Sequence, residues 1–300
     1  MRKVAVVTTG FFDGVHLGHR HVLSALVSAA RERGEEAIVV TFWPHPRAVL
    51  QQDARDFRLL SSLEEKQALL RAVGVDRVEV LPFTRAFAAM KADEYLSLLR
   101  DRFGASLIVM GYDNRIGSDR RTAAELGASQ KIIIVDEIAS AGLAASAIAN
   151  PAHAEAISST RIRKALAAGD VERAHAMLGY SYGLYGVVVA GNRKGRTIGF
   201  PTANMQLYEP LKLVPANGVY AVEAEVLGRQ FRGMCNIGVR PTVGGGTRTI
   251  ETHILDFDED IYGLPLRIRF LRRIRDERLF PSLDALREQL QKDSLAVRGE

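Results

Sequence analysis

The chain has almost nothing that would act as a covalent or metallic staple. One cysteine, Cys235, in 300 residues excludes an internal disulfide framework and a cysteine zinc cluster, and it fits a reducing, cytoplasmic setting. Long apolar runs are missing too. The longest uncharged candidate for a span, 138–149, is short and rich in Ala and Ser, far from the ~18 apolar residues of a membrane span. Met1-Arg2-Lys3-Val4 leads into a strand-like run without the apolar core and cleavage site of a signal peptide, so nothing points to export. There is no basic arm either. The net charge of +5 is spread evenly, with 17 Lys and Arg against 14 Asp and Glu in residues 181–300, and 23 against 21 before them. That balance disfavours nucleic acid and points to small anionic ligands. The length exceeds the ~100–200 residues of one ordinary domain, so two are expected.

What is present falls into two rhythms. Up to about residue 180, short apolar runs (Val4–Val7, Ile38–Phe42, Val78–Leu81, Leu107–Met110, Ile132–Val135) alternate with helical patterns (Gly18–Arg33, Ser62 to near Gly74, Ala92–Arg102). Strand, helix, strand in that order predicts a Rossmann-like parallel sheet with its site beyond the carboxyl ends of the strands. From Tyr182 the runs Tyr185–Ala190, Val219–Val226, Gln230–Val239, Thr249–Asp256 and Leu266–Leu271 follow one another with Gly- and Pro-bearing loops and no helix between them. That pattern predicts an antiparallel β-barrel, closed by a terminal helix that starts at Ser282. The boundary is placed near Gly179–Gly183, giving domains 1–179 and 180–300.

His16-Leu17-Gly18-His19 falls where the first strand gives way to the first helix. Two imidazoles three apart, the free amides of a helix start and a glycine that admits close approach suit a phosphate on which charge builds up. No cysteine, serine or lysine nucleophile stands beside them, so the chemistry implied is stabilisation of an in-line transfer. Taken alone, the pair also reads as an ordinary helix cap. Ser158-Ser159-Thr160-Arg161-Ile162-Arg163 adds capping hydroxyls followed by arginines on a first turn, a second anion cradle. Together the two motifs resemble the nucleotidylyltransferase superfamily. The resemblance implies that His16 and His19 attend the α-phosphate of ATP while Ser159, Thr160 and Arg163 hold the outer phosphates.

The flanking residues narrow the resemblance. Gly10-Phe11-Phe12-Asp13-Gly14-Val15-His16, Phe42-Trp43-Pro44-His45-Pro46-Arg47 and Gly111-Tyr112-Asp113 are similar to the N-terminal module of the bacterial bifunctional riboflavin kinase/FAD synthetase family. The likeness implies ATP contacts at Gly10, Asp13, Gly18 and Asp113, and a flavin side lined by His45 and Arg47; Pro44–Pro46 reads equally well as a stiff loop ending a strand. The chain departs from the family pattern at Ile116, where an aromatic is usual, and in a shortened helix followed by the Ala-rich 139–156 stretch.

The second half carries Gly191-Asn192-Arg193-Lys194-Gly195-Arg196-Thr197-Ile198-Gly199-Phe200-Pro201-Thr202-Ala203-Asn204. It is not a Walker A loop, because no G-x-x-x-x-G-K-[ST] occurs in the chain. Glycines at 191, 195 and 199 allow amides to wrap phosphates, while Thr202 and Asn204 offer two neutral oxygens suited to Mg²⁺. A Gly-rich hairpin is the plain alternative. The order of this loop, Pro215–Tyr220, Asn236–Thr242 and Ile250–His253 resembles the riboflavin kinase barrel. The resemblance implies that Thr202 and Asn204 bind Mg-ATP, that Glu251 is the base for the ribityl 5′-hydroxyl, and that Arg275 and Arg278 lie near the flavin. By strand alternation alone Glu251 would be an outward-facing residue.

The expected protein therefore phosphorylates riboflavin to FMN and adenylylates FMN to FAD, with ATP and Mg²⁺ and no membrane or nucleic-acid partner. The alternative is a riboflavin kinase whose degenerate N-terminal domain serves as a scaffold. The oligomeric state is left open.

Overall fold

The computed structural model describes residues 4–50, 57–127, 131–135, 157–191, 194–242 and 245–299. The Ala-rich 139–156 stretch and Asn192-Arg193 of the glycine loop lie outside the described residues. The chain divides into two compact units, Met1–Ser159 and Thr160–Glu300.

The first unit runs β1 (Ala5–Thr9), α1 (Leu17–Arg33), β2 (Glu36–Trp43), α2 (Pro46–Leu50), α3 (Leu63–Ala72), β3 (Arg77–Pro82), α4 (Arg85–Ala88), α5 (Ala92–Phe103), β4 (Ala105–Gly111), β5 (Arg115–Ile116), β6 (Arg121–Thr122), α6 (Ala123–Gly127) and β7 (Ile132–Val135). Five strands pair in parallel in the order β3-β2-β1-β4-β7. Successive strand residues face opposite sides of a sheet. Val6 therefore joins Leu23 and Leu26 of α1 and Leu70 of α3, while Val7 joins Tyr95, Leu96 and Leu99 of α5. Helices on both faces are why these strands are unbroken apolar runs. Ile116, at the position of the family's aromatic, is buried in the α5-side core with Tyr95 and Met110. The sheet order turns about β1 and β4, so the crevice past their carboxyl ends is the expected ligand position.

The second unit continues α7 (Ser159–Ala167) with α8 (Val171–Leu178), β8 (Gly183–Val189), α9 (Lys194–Thr197), β9 (Ala203–Leu207), β10 (Gly218–Val226), β11 (Arg229–Thr242), β12 (Gly245–Ile254), β13 (Pro265–Arg275) and α10 (Leu283–Arg298). Six strands close an antiparallel barrel in the order β10-β11-β12-β9-β8-β13. The sequence reading has no strand at β9 and no helix at α9. Ala203–Leu207 alternates apolar Ala203, Met205 and Leu207 with polar Asn204 and Gln206, but the signal is short and overlaps the end of the glycine-loop motif; β8 and β12 pair with its two edges. The first two helices pack with the barrel: α8 lies on β13, and the Ala216 amide donates to the Leu166 carbonyl at 2.9 Å. Compactness thus divides the chain ahead of the change of rhythm near Gly179.

One ion pair fastens the last helix. Arg275, at the end of β13, donates from Nε and Nη2 to the Asp293 carboxylate of α10 at 2.7–3.1 Å, and Gln289 donates to the same carboxylate at 2.7 Å. Asp293 is only 1% exposed. Removing one partner of a buried pair leaves the other desolvated without compensation, at a cost of about 3–5 kcal/mol. Asp293→Ala is expected to destabilise the second unit by that amount in urea unfolding of the full chain.

Candidate active sites

The first unit's site begins with a turn that the sequence cannot make in ordinary backbone. After β1, Phe12, Gly14 and Val15 take positive φ of 52°, 78° and 38°. The turn delivers His16 to the N-cap of α1, where its Nδ1 accepts the His19 amide at 3.3 Å. An Nδ1 that accepts places the proton of a neutral ring on Nε2. The two imidazoles stack with centroids 3.5 Å apart and planes 16° from parallel. Gly18 allows that stack, since a Cβ there would stand 3.3 Å from the His16 ring.

Burial holds His19 well below the ordinary histidine range, with the charges of His16 and Lys66 adding to the effect. His16 and His19 line one cleft with Gly18, Asp113, Ser158 and Ser159. The Ser159 hydroxyl donates to the Asp13 carbonyl at 3.1 Å, which joins the two motifs that the sequence separates by 140 residues or more. Thr160 lies on the first turn of α7 and Arg163 at the start of its second, in the second unit. The Asp13 side chain is engaged elsewhere: 3% exposed, it accepts the amides of Leu60 and Ser61 and the Ser61 hydroxyl.

Beside Gly10 opens a cavity of about 460 Å³ walled by Phe11, Phe42, Phe83, Phe87 and Tyr95, with Ile116 in its wall. Its size suits a drug-sized ring system. His45 and Arg47 are not in that wall. His45 packs edge-on against Phe11 at 3.9 Å, and Arg47 lies 5.7 Å from the ring centre of Phe57. The aromatic cage was missed in the sequence because its five members come from five separate segments, β2, α4, α5 and the loops after β1 and β3, and read individually as core.

In the barrel, β9, β12 and β11 bring three polar residues into one transverse row. Asn204 pairs with Glu251, and Glu251 pairs with Asn236. Directly opposed residues of antiparallel strands share a face. Thr202 comes within 3.5 Å of the Glu251 carboxylate. Glu251, Asn236 and Thr202 line a cavity of about 590 Å³ with Arg275, Arg278 and Phe280. Thr202 also lines a neighbouring pocket with Arg196, Asp258 and Tyr262. A Cβ at Gly191 would meet the side-chain amide of Asn204 and displace it; Gly195 lies on the single turn α9 and Gly199 follows it with φ 84°. The Arg278 guanidinium stacks on Phe280 at 4.9 Å. Asn236 was the functional candidate without a role in the sequence reading, and only the register reveals it. Cys235 is fully buried, and burial pushes its thiol up to about 12.

A Rossmann-like domain with paired histidines at its switch point, joined to a closed barrel with a Thr-Asn-Glu site, defines a nucleotidylyltransferase fused to a flavin kinase. Residues 1–148 match the FAD synthetase family and residues 178–299 the riboflavin kinase family. The bifunctional riboflavin kinase/FMN adenylyltransferase of Bacillus subtilis is 35% identical over 96% of this chain and 90% of its own. That of Escherichia coli K12 is 37% identical over 98% and 91%. The chain belongs to the bifunctional riboflavin kinase/FMN adenylyltransferase family. A solved structure described as a macrolide-efflux protein of Streptococcus pneumoniae superposes with a TM-score of 0.91 at 34% identity, over 100% of this chain and 95% of that one. Among the described residues no helix is long and apolar enough to cross a membrane.

The stacked histidines carry a pH signature. An unfolded His19 protonates near its ordinary value of 6.5, whereas the buried ring resists protonation. Below that value the unfolded chain binds the extra proton, so the first unit loses stability as pH falls, by up to about 1.4 kcal/mol per pH unit. Unfolding free energies at pH 7 and pH 5 are expected to differ less in His19→Gln than in the unmutated protein.

Proposed function

We infer that the chain phosphorylates riboflavin to FMN with ATP in residues 180–300, and adenylylates FMN to FAD in residues 1–179. The observation that carries the kinase assignment is Thr202: it lines both barrel pockets and lies 3.5 Å from Glu251. That supports reading Thr202 as a phosphate-side residue between an ATP pocket and a flavin pocket. The riboflavin 5′-hydroxyl, oriented by Glu251, attacks the γ-phosphorus. The new P–O bond forms as the bond to the β,γ-bridging oxygen breaks, ADP leaves, and the hydroxyl proton passes to the Glu251 carboxylate. Arg275 and Arg278 are assigned to the flavin side of that pocket.

In the first unit an FMN phosphate oxygen attacks the α-phosphorus of ATP, and pyrophosphate leaves. His16 and His19 are assigned as donors to the α-phosphate as charge develops, with Ser159 beside them. The isoalloxazine is assigned to the aromatic cavity, with His45 beside Phe11 and Arg47 over Phe57 on the same side. The FAD synthetase match over residues 1–148 favours two activities over a kinase with an inactive scaffold domain.

Transfers of this class use a divalent cation with the triphosphate. Among the described residues no cluster of three or more His, Cys, Asp or Glu suits a metal. A site built on the Thr202 hydroxyl, the Asn204 amide oxygen and phosphate oxygens fits Mg²⁺, a hard ion that retains water and shares phosphates. When bound, it neutralises charge on the transferring phosphate.

Incubation with riboflavin and ATP, followed by chromatography, is expected to yield FMN and FAD; FMN alone would support the scaffold reading. Glu251→Gln is expected to abolish FMN formation while FMN supplied directly still becomes FAD. His19→Ala is expected to do the converse, slowing FAD formation by about 10²–10³. Thr202→Ala and Asn204→Ala are expected to raise the Mg²⁺ concentration needed for half-maximal FMN formation. An unchanged Mg²⁺ titration in both variants would remove these residues from the metal site.

A further inference from the structure

Lys66 of α3 is a fully charged residue type in a place where charge is normally absent. It is 1% exposed, and its ammonium lies inside the first unit. The Nζ donates to the Phe11 carbonyl at 3.2 Å, the Thr41 hydroxyl at 3.1 Å and the Phe42 carbonyl at 3.3 Å. Three N–H donors thus meet three acceptors, and a neutral amine would leave one acceptor without its donor. The Thr41 hydroxyl in turn donates to the Phe11 carbonyl at 3.1 Å, and the ammonium sits 4.1 Å from the Phe11 ring centre. Burial lowers Lys66 to about 8 while the Asp13 carboxylate opposes the shift, so the charged form persists at neutral pH.

These contacts join two segments that the chain keeps apart. One is the strained turn that carries Phe11 and leads into His16; the other is the end of β2, which carries Phe42. Both rings wall the aromatic cavity. We propose that Lys66 is a positioning residue of the adenylyl-transfer site, clamping the Phe11 turn to the end of β2 and so setting the flavin-facing wall and the approach to the paired histidines together. The inference rests on the function assigned above to this site.

The clamp is tested in the full chain with Lys66→Met, which keeps the length of the side chain and removes its donors, and with Thr41→Val, which keeps the volume and removes one acceptor. A displaced reacting group of this kind costs about 10-fold to 100-fold in rate. Lys66→Met is expected to lower kcat for FMN-to-FAD conversion by that factor. Because Phe11 is an aromatic contact to the ring system, KM for FMN should rise about five-fold, the size of one such contact. KM for ATP and the riboflavin-to-FMN rate should stay within two-fold of the unmutated protein. A merely structural role would lower the fraction of active protein and leave KM for FMN unchanged.

If Lys66→Met does not fold, Thr41→Val decides: a several-fold rise in KM for FMN supports the clamp. Unchanged KM and kcat for FMN in a folded variant overturn it. Absence of FAD with the unmutated protein would overturn the adenylylation reading itself, and the clamp with it.

Discussion

One buried carboxylate fixes the geometry on which the first unit's chemistry depends. Asp13 accepts two backbone amides and a hydroxyl from Leu60 and Ser61, and its own carbonyl accepts the Ser159 hydroxyl. Hydrogen bonds to an ionised acceptor are roughly twice as strong as neutral ones. They act on a turn in which Phe12 and Val15 hold left-handed backbone, a state that costs a non-glycine residue on the order of 1–3 kcal/mol. Val15 is β-branched and fully buried, so the strain persists only because the surroundings over-determine the turn. The Gly14 amide donating to the Ser61 hydroxyl at 3.0 Å adds to the same brace. Without this brace there is no fixed N-cap for His16 and no stacked pair.

The barrel uses the same device at a different place. Arg275 is held by Asp293 through two nitrogens, and its guanidinium also lies 5.6 Å from the Phe280 ring centre. The resemblance assigns Asp13 to ATP and Arg275 to the flavin. Both side chains are engaged by protein partners, so each acts on its site at least through the placement of its neighbours. A charged residue in a motif can thus be kept for what it does to the backbone beside the ligand as well as for direct contact.

How much of this was legible depended on whether the information was local. The parallel strands were readable because burial on both faces makes them continuous apolar runs, and α3 was readable from Ser62 and Glu65, whose capping box is present in the structure. The histidine pair was readable because three-residue spacing at a helix start is itself a local constraint. β9 was obscured, since the five-residue alternation of Ala203–Leu207 overlaps the end of the glycine-loop motif and its place between β8 and β12 is set by pairing at a distance in sequence. The row of Asn204, Glu251 and Asn236 was hidden because strand register brings together positions that alternation treats one at a time. Lys66 gave no signal at all, because a lysine in an amphipathic helix reads as solvated until its three acceptors are seen.

The two sites differ in one chemical demand, and their residues follow it. Riboflavin attacks with a primary alcohol, which must lose its proton as the bond to phosphorus forms. FMN attacks with a phosphate monoester, whose second proton leaves near pH ~6, so at neutral pH the nucleophile is already ionised. A base is needed only in the first case. In the barrel a carboxylate, Glu251, stands on the wall of the cavity proposed for the flavin, beside Thr202. In the first unit the nearest buried carboxylate, Asp13, has its oxygens turned to the amides of Leu60 and Ser61. That cleft is lined by a pair of imidazoles, one of them kept neutral by burial, together with Asp113, which the resemblance assigns to ATP. A neutral ring still donates a hydrogen bond to a developing anion, and it does so without the desolvation cost of a second buried charge beside Lys66. On the proposed assignment, Glu251 answers the weak acidity of an alcohol nucleophile, a demand that an already ionised phosphate does not make.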